Sequence, residues 1–585
     1  MSKSRSHKRQ PKNWRTIAIS VGALVFATCF CSLVAISLGQ RVLDIFRSDE
    51  VTSSVETAQV SWSADSAELT IAVAPVMAPV LAERVEAFNR QALRTPDGNA
   101  MSVQLTPLTP QEIVDQSLGQ PRFQAVAPDS SIWLNQIDQR WAQAQAAEAG
   151  TISPRRVGEP VRYAISPIVI AAWEETARSL GWPDQPVGWG EIQRRATEDS
   201  NFKWNHPSTQ HAAGLLATLA EFYAGAGLTR GLTEEIATRQ DVLDYVRNVE
   251  ATVRFYGEGE NVVVERLAQE GRNFLDAFVA QEQTVIQWNN GQRGEELVAI
   301  YPAEGTLWTD HPLALLELSG NAALSVTDNQ RLTFRSFAEF LTGEESQRAF
   351  LAAGYRPADL SIPLDAAGSP FANTTTVDWR QPNTTLQIPS AAVVEVIQNV
   401  WWYTKRPTNV YLVVDTSGSM EGDKLSLAKT ALNSFVAQIQ GDRDRVGIVE
   451  FGSGVKRFEP LRNVTGGGQA RMSELITAME AYGNTALIDA VWQANQDLQT
   501  VADREAINAI VVMTDGQEND SQYSINDLRR ALEGNRTPVV IFTIAFGRDA
   551  DDAVMQEIAR IGGGQFRRAD ETDIEELYRI ISTYF

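Results

Sequence analysis

From Leu69 onward, short apolar runs alternate with segments whose apolar positions recur every three or four residues. Residues 69–73 predict a strand, 78–92 a helix, 102–105 a strand and 110–117 a helix. This βαβα order marks an α/β fold with a parallel sheet. The alternation continues through 124–127, 162–172, a helix at 209–223 and apolar runs at 285–287 and 297–301, and a helical pair at 334–352 closes it. Residues 361–389, rich in Pro, Gly, Ala, Asn and Thr, read as a linker. Ser390 then caps a helix carrying Val393, Val394, Val396, Ile397, Val400 and Trp401 at helical spacing. A second alternation follows, with strands at 410–414, 446–451, 507–513 and 539–546. Its helices are expected at 424–438, 472–482, 486–498, 550–561 and 574–584. That pattern predicts a doubly wound open sheet, in which ligands bind outside the carboxyl ends of the strands.

The first 16 residues carry six Lys and Arg and no acid, and the run from Ile17 to Leu38 has no charge. A helix of that length spans about 33 Å, enough for a hydrocarbon core of about 30 Å. The expectation is one transmembrane helix at 17–38 with residues 1–16 in the cytoplasm and Trp14 at the interface. Everything after Arg41 is then extracytoplasmic, in a periplasm or outside the cell. A cleaved signal peptide is the competing reading, with Ala35, Ile36 and Ser37 as a small-x-small site. The apolar run exceeds the usual h-region of about 7 to 15 residues. Polar, Ser-rich residues 42–65 read as a juxtamembrane stalk.

At 585 residues the chain is too long for a single core. Its composition, 43% hydrophobic and 21% charged, excludes collagenous, coiled-coil and largely disordered chains. The only cysteines, Cys29 and Cys31, fall in the apolar N-terminal run, so the exported part has no disulfide framework and no CxxC site. A net charge of −22 opposes nucleic acid as a partner.

Candidate chemistry concentrates near the C-terminus. The strand at 410–414 ends in Asp415-Thr416-Ser417-Gly418-Ser419, a DxSxS pattern. Thr485 stands in GNTALIDA and Asp515 in VVMTDG. Residues 405–585 resemble the von Willebrand factor type A domain with a metal-ion-dependent adhesion site, and Asp415, Ser417, Ser419, Thr485 and Asp515 fill its five positions. The resemblance implies direct binding by the three hydroxyls, with the two carboxylates acting mostly through water. Such hard oxygen ligands suit Mg²⁺, with Mn²⁺ or Ca²⁺ as alternatives. An ion held this way would accept an Asp or Glu carboxylate from a protein partner. A bound ion that merely stabilises the loops is the alternative.

Residues 66–360 resemble bacterial extracellular solute-binding proteins of the two-lobed, periplasmic-binding type. The resemblance rests on the order of AVAPVMAPVLAERVEAFN, PDSSIW, SPIVIAAWEETARSLGWP, GWGEIQ, HPSTQHAAGLLATLAEFYAGAG, YPAEGTLWTDHP and FLTGEESQRAFLAAGYRP. It implies two α/β lobes closing on a ligand, with crossovers near 163–165 and 300–302. Ser130, Ser131, Ser208 and Thr209 are candidates for holding a small polar solute. Glu282, Tyr301 and Glu304 are candidates for the same cleft, each equally readable as a cap or buried structural group. The loop Ala74-Pro75-Val76 lacks the hydroxyl that oxyanion binders of the family often place there. The four histidines form no HExxH or i,i+4 pair, and neither GxxxxGK[ST] nor GxSxG occurs. The expectation is therefore a membrane-anchored binding protein with no catalytic residues, comprising a linker and packing helix at 361–404 between the solute-binding-like domain and the metal-binding domain at 405–585. A solute-sensing component of a transport or signalling complex is the alternative, and an enzyme's accessory subunit a third.

Overall fold

The computed structural model describes residues 63–149, 155–257, 259–318, 325–366, 368–372 and 374–585. The expected cytoplasmic tail, the transmembrane helix at 17–38 and nearly all of the stalk lie outside the described residues. Among the described residues, no helix is long and apolar enough to cross a membrane.

The N-terminal part forms two lobes, each around its own mixed sheet. In the first lobe the strands lie in the order Ser102–Pro107, Glu68–Val73, Ala125–Ala127, Pro312–Leu315, Val161–Arg162. The first three are parallel, as the βαβα reading requires, and Pro312–Leu315 joins them antiparallel. In the second lobe the ten-residue strand Ala164–Trp173 is the hub. It pairs antiparallel with Ala277–Gln281, Leu297–Ile300, Trp308–Thr309 and Arg356–Pro357. A continuous run of apolar residues in that strand fits burial on both faces.

The first crossover between lobes occurs at Tyr163, within the expected segment. The second departs from the expectation of 300–302: after Leu297–Ile300 the chain still adds Trp308–Thr309 to the second sheet, and it crosses at Asp310 and His311. The apolar run at 285–287 also behaves differently, lying inside the helix Glu282–Asn290, while the neighbouring strand is Ala277–Gln281. Three buried aromatic rings gather where the lobes join. His311 packs 6.4 Å from Tyr163 and 5.0 Å from Tyr355 between ring centroids.

The C-terminal domain is an open sheet in the order Val455–Asn463, Arg445–Phe451, Thr408–Asp415, Ile507–Thr514, Val540–Phe546, Phe566–Ala569. All neighbours are parallel except the edge pair formed by Val455–Asn463. The helices Asp423–Gln438 and Ile574–Ser582 cover one face, with Phe435 edge-on to Tyr578. Leu487–Val501 covers the other, placing Leu487, Val491, Ala494 and Leu498 in its core. The helix Ala391–Thr404 precedes this domain and packs on both lobes.

Candidate functional site

The strand Thr408–Asp415 is buried along its whole length and delivers Asp415 to the carboxyl edge of the sheet. The chain then turns tightly, because Asp415 Oδ1 accepts the Ser417 amide at 2.7 Å. This turn points Ser417 and Ser419 back toward the strand end, their hydroxyls 3.0 Å apart. The adjacent strand Ile507–Thr514 delivers Asp515 to the same edge, where its Oδ1 accepts from Ser419 Oγ at 2.6 Å. Thr514 Oγ1 donates to Asp415 Oδ2 at 2.5 Å, tying the two strand ends together.

Thr485 reaches the cluster from a third loop. Its amide donates to Asn519 Oδ1 at 3.0 Å, and Glu518 Oε2 accepts the Ile488 amide nearby, so the loop after Asp515 braces it. Gly516 reports the convergence. A Cβ there would stand 3.1 Å from Thr485 Oγ1, 3.5 Å from Ser419 Oγ and 3.9 Å from Asp415 Oδ2. Oxygens from the Asp415–Ser419 loop and from the Thr485 loop thus face a space that the missing side chain of Gly516, on the third loop, leaves open. The donor set, three hydroxyls and two carboxylates, fits a hard divalent cation. Burial raises the Asp415 carboxyl above its usual range, and the Asp515 charge adds to this against hydrogen bonds from Thr514 and Ser417. A cation at this edge would favour its ionised form.

Lys424 was not singled out by its sequence context. From the start of the helix Asp423–Gln438 its ammonium reaches Asp515 Oδ2 at 2.5 Å. It therefore offsets one of the two buried carboxylates. Tyr482, more than half exposed, sits beside the cluster, its amide bonded to Thr416 O at 2.9 Å.

The solute candidates are dispersed. A cavity of about 150 Å³ lies between the lobes, lined among others by Val76, Thr109, Asp129, Gln210, His211 and Glu260. Ser130 and Ser131 adjoin it at the start of the helix Ser131–Ala149, and Ser131's amide is taken up by Asp310 Oδ1 at 2.7 Å. Ser208 and Thr209 precede Gln210 in the loop leading to the helix Ala212–Ala226. Glu282 is committed elsewhere: it forms a buried ion pair with Arg356, 2.8 Å from Nε, and accepts from the Tyr301 hydroxyl. Glu304 accepts the Trp189 amide at 3.1 Å, away from this cavity. The cavity lining instead includes buried Asp129 and half-buried His211, both with altered proton affinity. Burial lifts Asp129 to about 7 and lowers His211 to about 4. Two further lining residues, Arg579 and Thr583, come from the C-terminal domain. No local pattern marks them, since their proximity depends on how the domains pack.

Residues 69–356 match the family model for bacterial extracellular solute-binding proteins, and residues 409–580 match that for the von Willebrand factor type A domain. Among curated proteins, human inter-alpha-trypsin inhibitor heavy chain H4 is 27% identical over 178 residues, 29% of this chain and 19% of that protein. Human calcium-activated chloride channel regulator 4 is 27% identical over 165 residues, 28% of this chain and 17% of that protein. The chain thus spans about a fifth of the length of the curated relatives it matches. Similar solved structures include a von Willebrand factor type A protein from Catenulispora acidiphila, with TM-score 0.28, 21% identity and coverage of 31% of this chain and 42% of that one. A periplasmic thiamin binding protein gives TM-score 0.40 and 15% identity, covering 58% of this chain and 96% of that one. The family matches thus account for most of the described residues: this chain joins a bacterial extracellular solute-binding protein domain to a C-terminal von Willebrand factor type A domain.

Proposed function

We propose that this chain is an extracytoplasmic binding protein, anchored by residues 17–38, whose C-terminal domain captures a protein partner through a divalent cation. Asp415, Ser417, Ser419, Thr485 and Asp515 are the residues that would hold the ion, Mg²⁺ by donor chemistry. The observation carrying this reading is the convergence of Thr485, Ser419 and Asp415 oxygens on the space beside Gly516. A bound ion supplies an electrophilic position suited to a carboxylate oxygen. The chain's own residues set the strength of that position. Neutral hydroxyls withdraw little of the ion's charge, and Lys424 already offsets part of Asp515's. Exposed Tyr482 gives the rim an aromatic surface of the kind enriched at protein interfaces. The protein acts by binding, without turnover, and the match to extracellular solute-binding proteins supports an extracytoplasmic location for its bulk.

A second reading, that a small solute in the interlobe cavity controls the C-terminal domain, is favoured by Arg579 and Thr583 in the cavity wall. One comparison separates the two: capture of partners from envelope extract by the full chain, in Mg²⁺ and in chelator, for wild type and a Ser417→Ala, Ser419→Ala variant. A partner carrying an acidic contact residue should be lost in chelator and in the variant alike. Retention in both sinks metal-mediated capture and moves attention to the cavity.

A further inference from the structure

A second set of metal-type donors lies in the other half of the molecule. His206 follows the short strand Trp204–Asn205, Glu221 lies on the helix Ala212–Ala226, and Glu250 ends the helix Gln240–Glu250. All three are fully buried, and one donor atom from each lies within 4.8 Å of the others.

The hydrogen bonds define what each can offer. His206 Nδ1 stands 2.7 Å from the Pro207 carbonyl oxygen. A carbonyl only accepts, so Nδ1 carries the proton, and in the neutral ring Nε2 presents its lone pair. Nε2 is 3.2 Å from Glu250 Oε2. Glu250 is itself oriented from behind, accepting from the Tyr256 hydroxyl at 2.7 Å and from Trp401 Nε1 at 2.9 Å. Glu221 is different: neither of its carboxylate oxygens has a hydrogen-bond partner, although the side chain is sealed from solvent. Buried polar groups are normally paired, and a buried carboxylate with two idle oxygens is an unfavourable arrangement that a bound cation would relieve. Among the described residues no Lys or Arg hydrogen-bonds either carboxylate.

We propose that His206, Glu221 and Glu250 form a closed structural site for a divalent transition-metal ion, Zn²⁺ in the first instance, separate from the site at Asp415. Zn²⁺ takes imidazole nitrogen and carboxylate oxygen at about 2.0 to 2.2 Å in four-coordinate sites. Donors around such an ion stand roughly 3.4 Å apart, close to the 3.2 Å between His206 Nε2 and Glu250 Oε2. The three residues supply one donor atom each, and the second Glu221 oxygen or a buried water would complete the shell. The His206 Nδ1–carbonyl bond and the Tyr256 and Trp401 bonds to Glu250 are the outer contacts that orient metal ligands. The site joins two helices and a loop of the second lobe. Through Trp401, it also reaches the helix leading into the C-terminal domain. Having no open face, it would take its ion during folding.

The test measures metal in the full chain after refolding with Zn²⁺ and removal of loose ions, in an Asp415→Ala background that eliminates the other site. On the order of one Zn²⁺ per chain should remain, with an unfolding temperature several degrees above that of protein refolded in chelator. Adding Glu221→Gln should abolish both. Co²⁺ in place of Zn²⁺ should give the visible absorption of a tetrahedral site, a readout that needs no variant. A folded Asp415→Ala chain that retains no Zn²⁺ and shows no Co²⁺ absorption overturns the proposal. So does a Glu221→Gln chain more stable than its parent in chelator but unchanged in Zn²⁺ content, which would assign Glu221 a proton instead of a metal.

Discussion

Two single residues report most directly on the sites they adjoin. Gly516 has no need of glycine's backbone freedom, so alanine there tests space alone. A Cβ placed 3.1 Å from Thr485 Oγ1 would occupy the space that the donors face. Gly516→Ala should change stability in chelator by less than about 1 kcal/mol while weakening Mg²⁺ binding at least tenfold, about 1.4 kcal/mol. Calorimetric titration reads this, and an unchanged Mg²⁺ affinity would mean that the donors do not converge on an ion there. Asp129 makes a pH statement about the cavity. Burial lifts its carboxyl from 3.8 to about 7, with the charge of Glu260 adding to the effect and the Trp133 indole opposing it. A carboxyl raised on folding contributes stability that is full below 3.8 and is lost as pH rises through about 7. The shift corresponds to something of the order of 4 kcal/mol. Asp129→Asn keeps an oxygen acceptor for Trp133 and removes the titration. Its unfolding temperature should therefore fall less than that of wild type between pH 4 and 7, and parallel profiles would show that Asp129 enters the folded protein already ionised.

The elements of the C-terminal domain were legible in the sequence where burial forces a simple pattern. Thr408–Asp415, Ile507–Thr514 and Val540–Phe546 are buried on both faces and read as unbroken apolar runs. The strand Val455–Asn463 was not legible: it is an edge strand alternating charge with a few apolar residues, it contains Pro460, and it pairs through two register irregularities. An edge position tolerates all three features because half of its backbone groups need no partner strand. The helix Ile525–Glu533 lacks an apolar signature for a related reason. Only Leu528 on it is buried, so its start is marked by the Ser524–Asp527 capping box and not by apolar spacing. The five metal-type donors were visible because three separate loops, two at strand ends and one between helices, each carry a distinctive short motif. The cavity residues were not, since Asp129 and His211 acquire their properties from burial and Arg579 from another domain. Glu282 shows the converse. Its sequence context suggested a cleft carboxylate, whereas its actual partner, Arg356, is delivered by a strand far along the chain.

At the scale of the molecule, the C-terminal domain and its leading helix engage both lobes. The helix Ala391–Thr404 bonds the first lobe through Gln136 and Gln398, 3.0 Å apart, and the second through Trp401 and Glu250. Arg406 donates to the Val253 carbonyl at 2.7 Å, and the Tyr584 ring lies 5.8 Å from Phe255. On the first-lobe side, Arg579 of the last helix reaches Glu112 at 3.1 Å. Glu112 is no ordinary surface partner, since its other oxygen holds the Thr109 amide at 2.7 Å in the capping box of the helix Pro110–Leu118. The two domains therefore meet at a helix start that also lines the interlobe cavity. A movement of one lobe against the other must rearrange contacts with the C-terminal domain on at least one side, which gives the solute-controlled reading a physical path. The prediction is energetic coupling between Arg579 and Glu112. Arg579→Gln and Glu112→Gln, alone and together, form a double-mutant cycle in which glutamine preserves the Thr109 bond. Each side chain is about a quarter exposed, so solvent screening limits the expected coupling to about 0.5 to 1 kcal/mol by urea denaturation. Additive effects would mean that the C-terminal domain leans on the first lobe without gripping it, and lobe closure would then have no route through this contact.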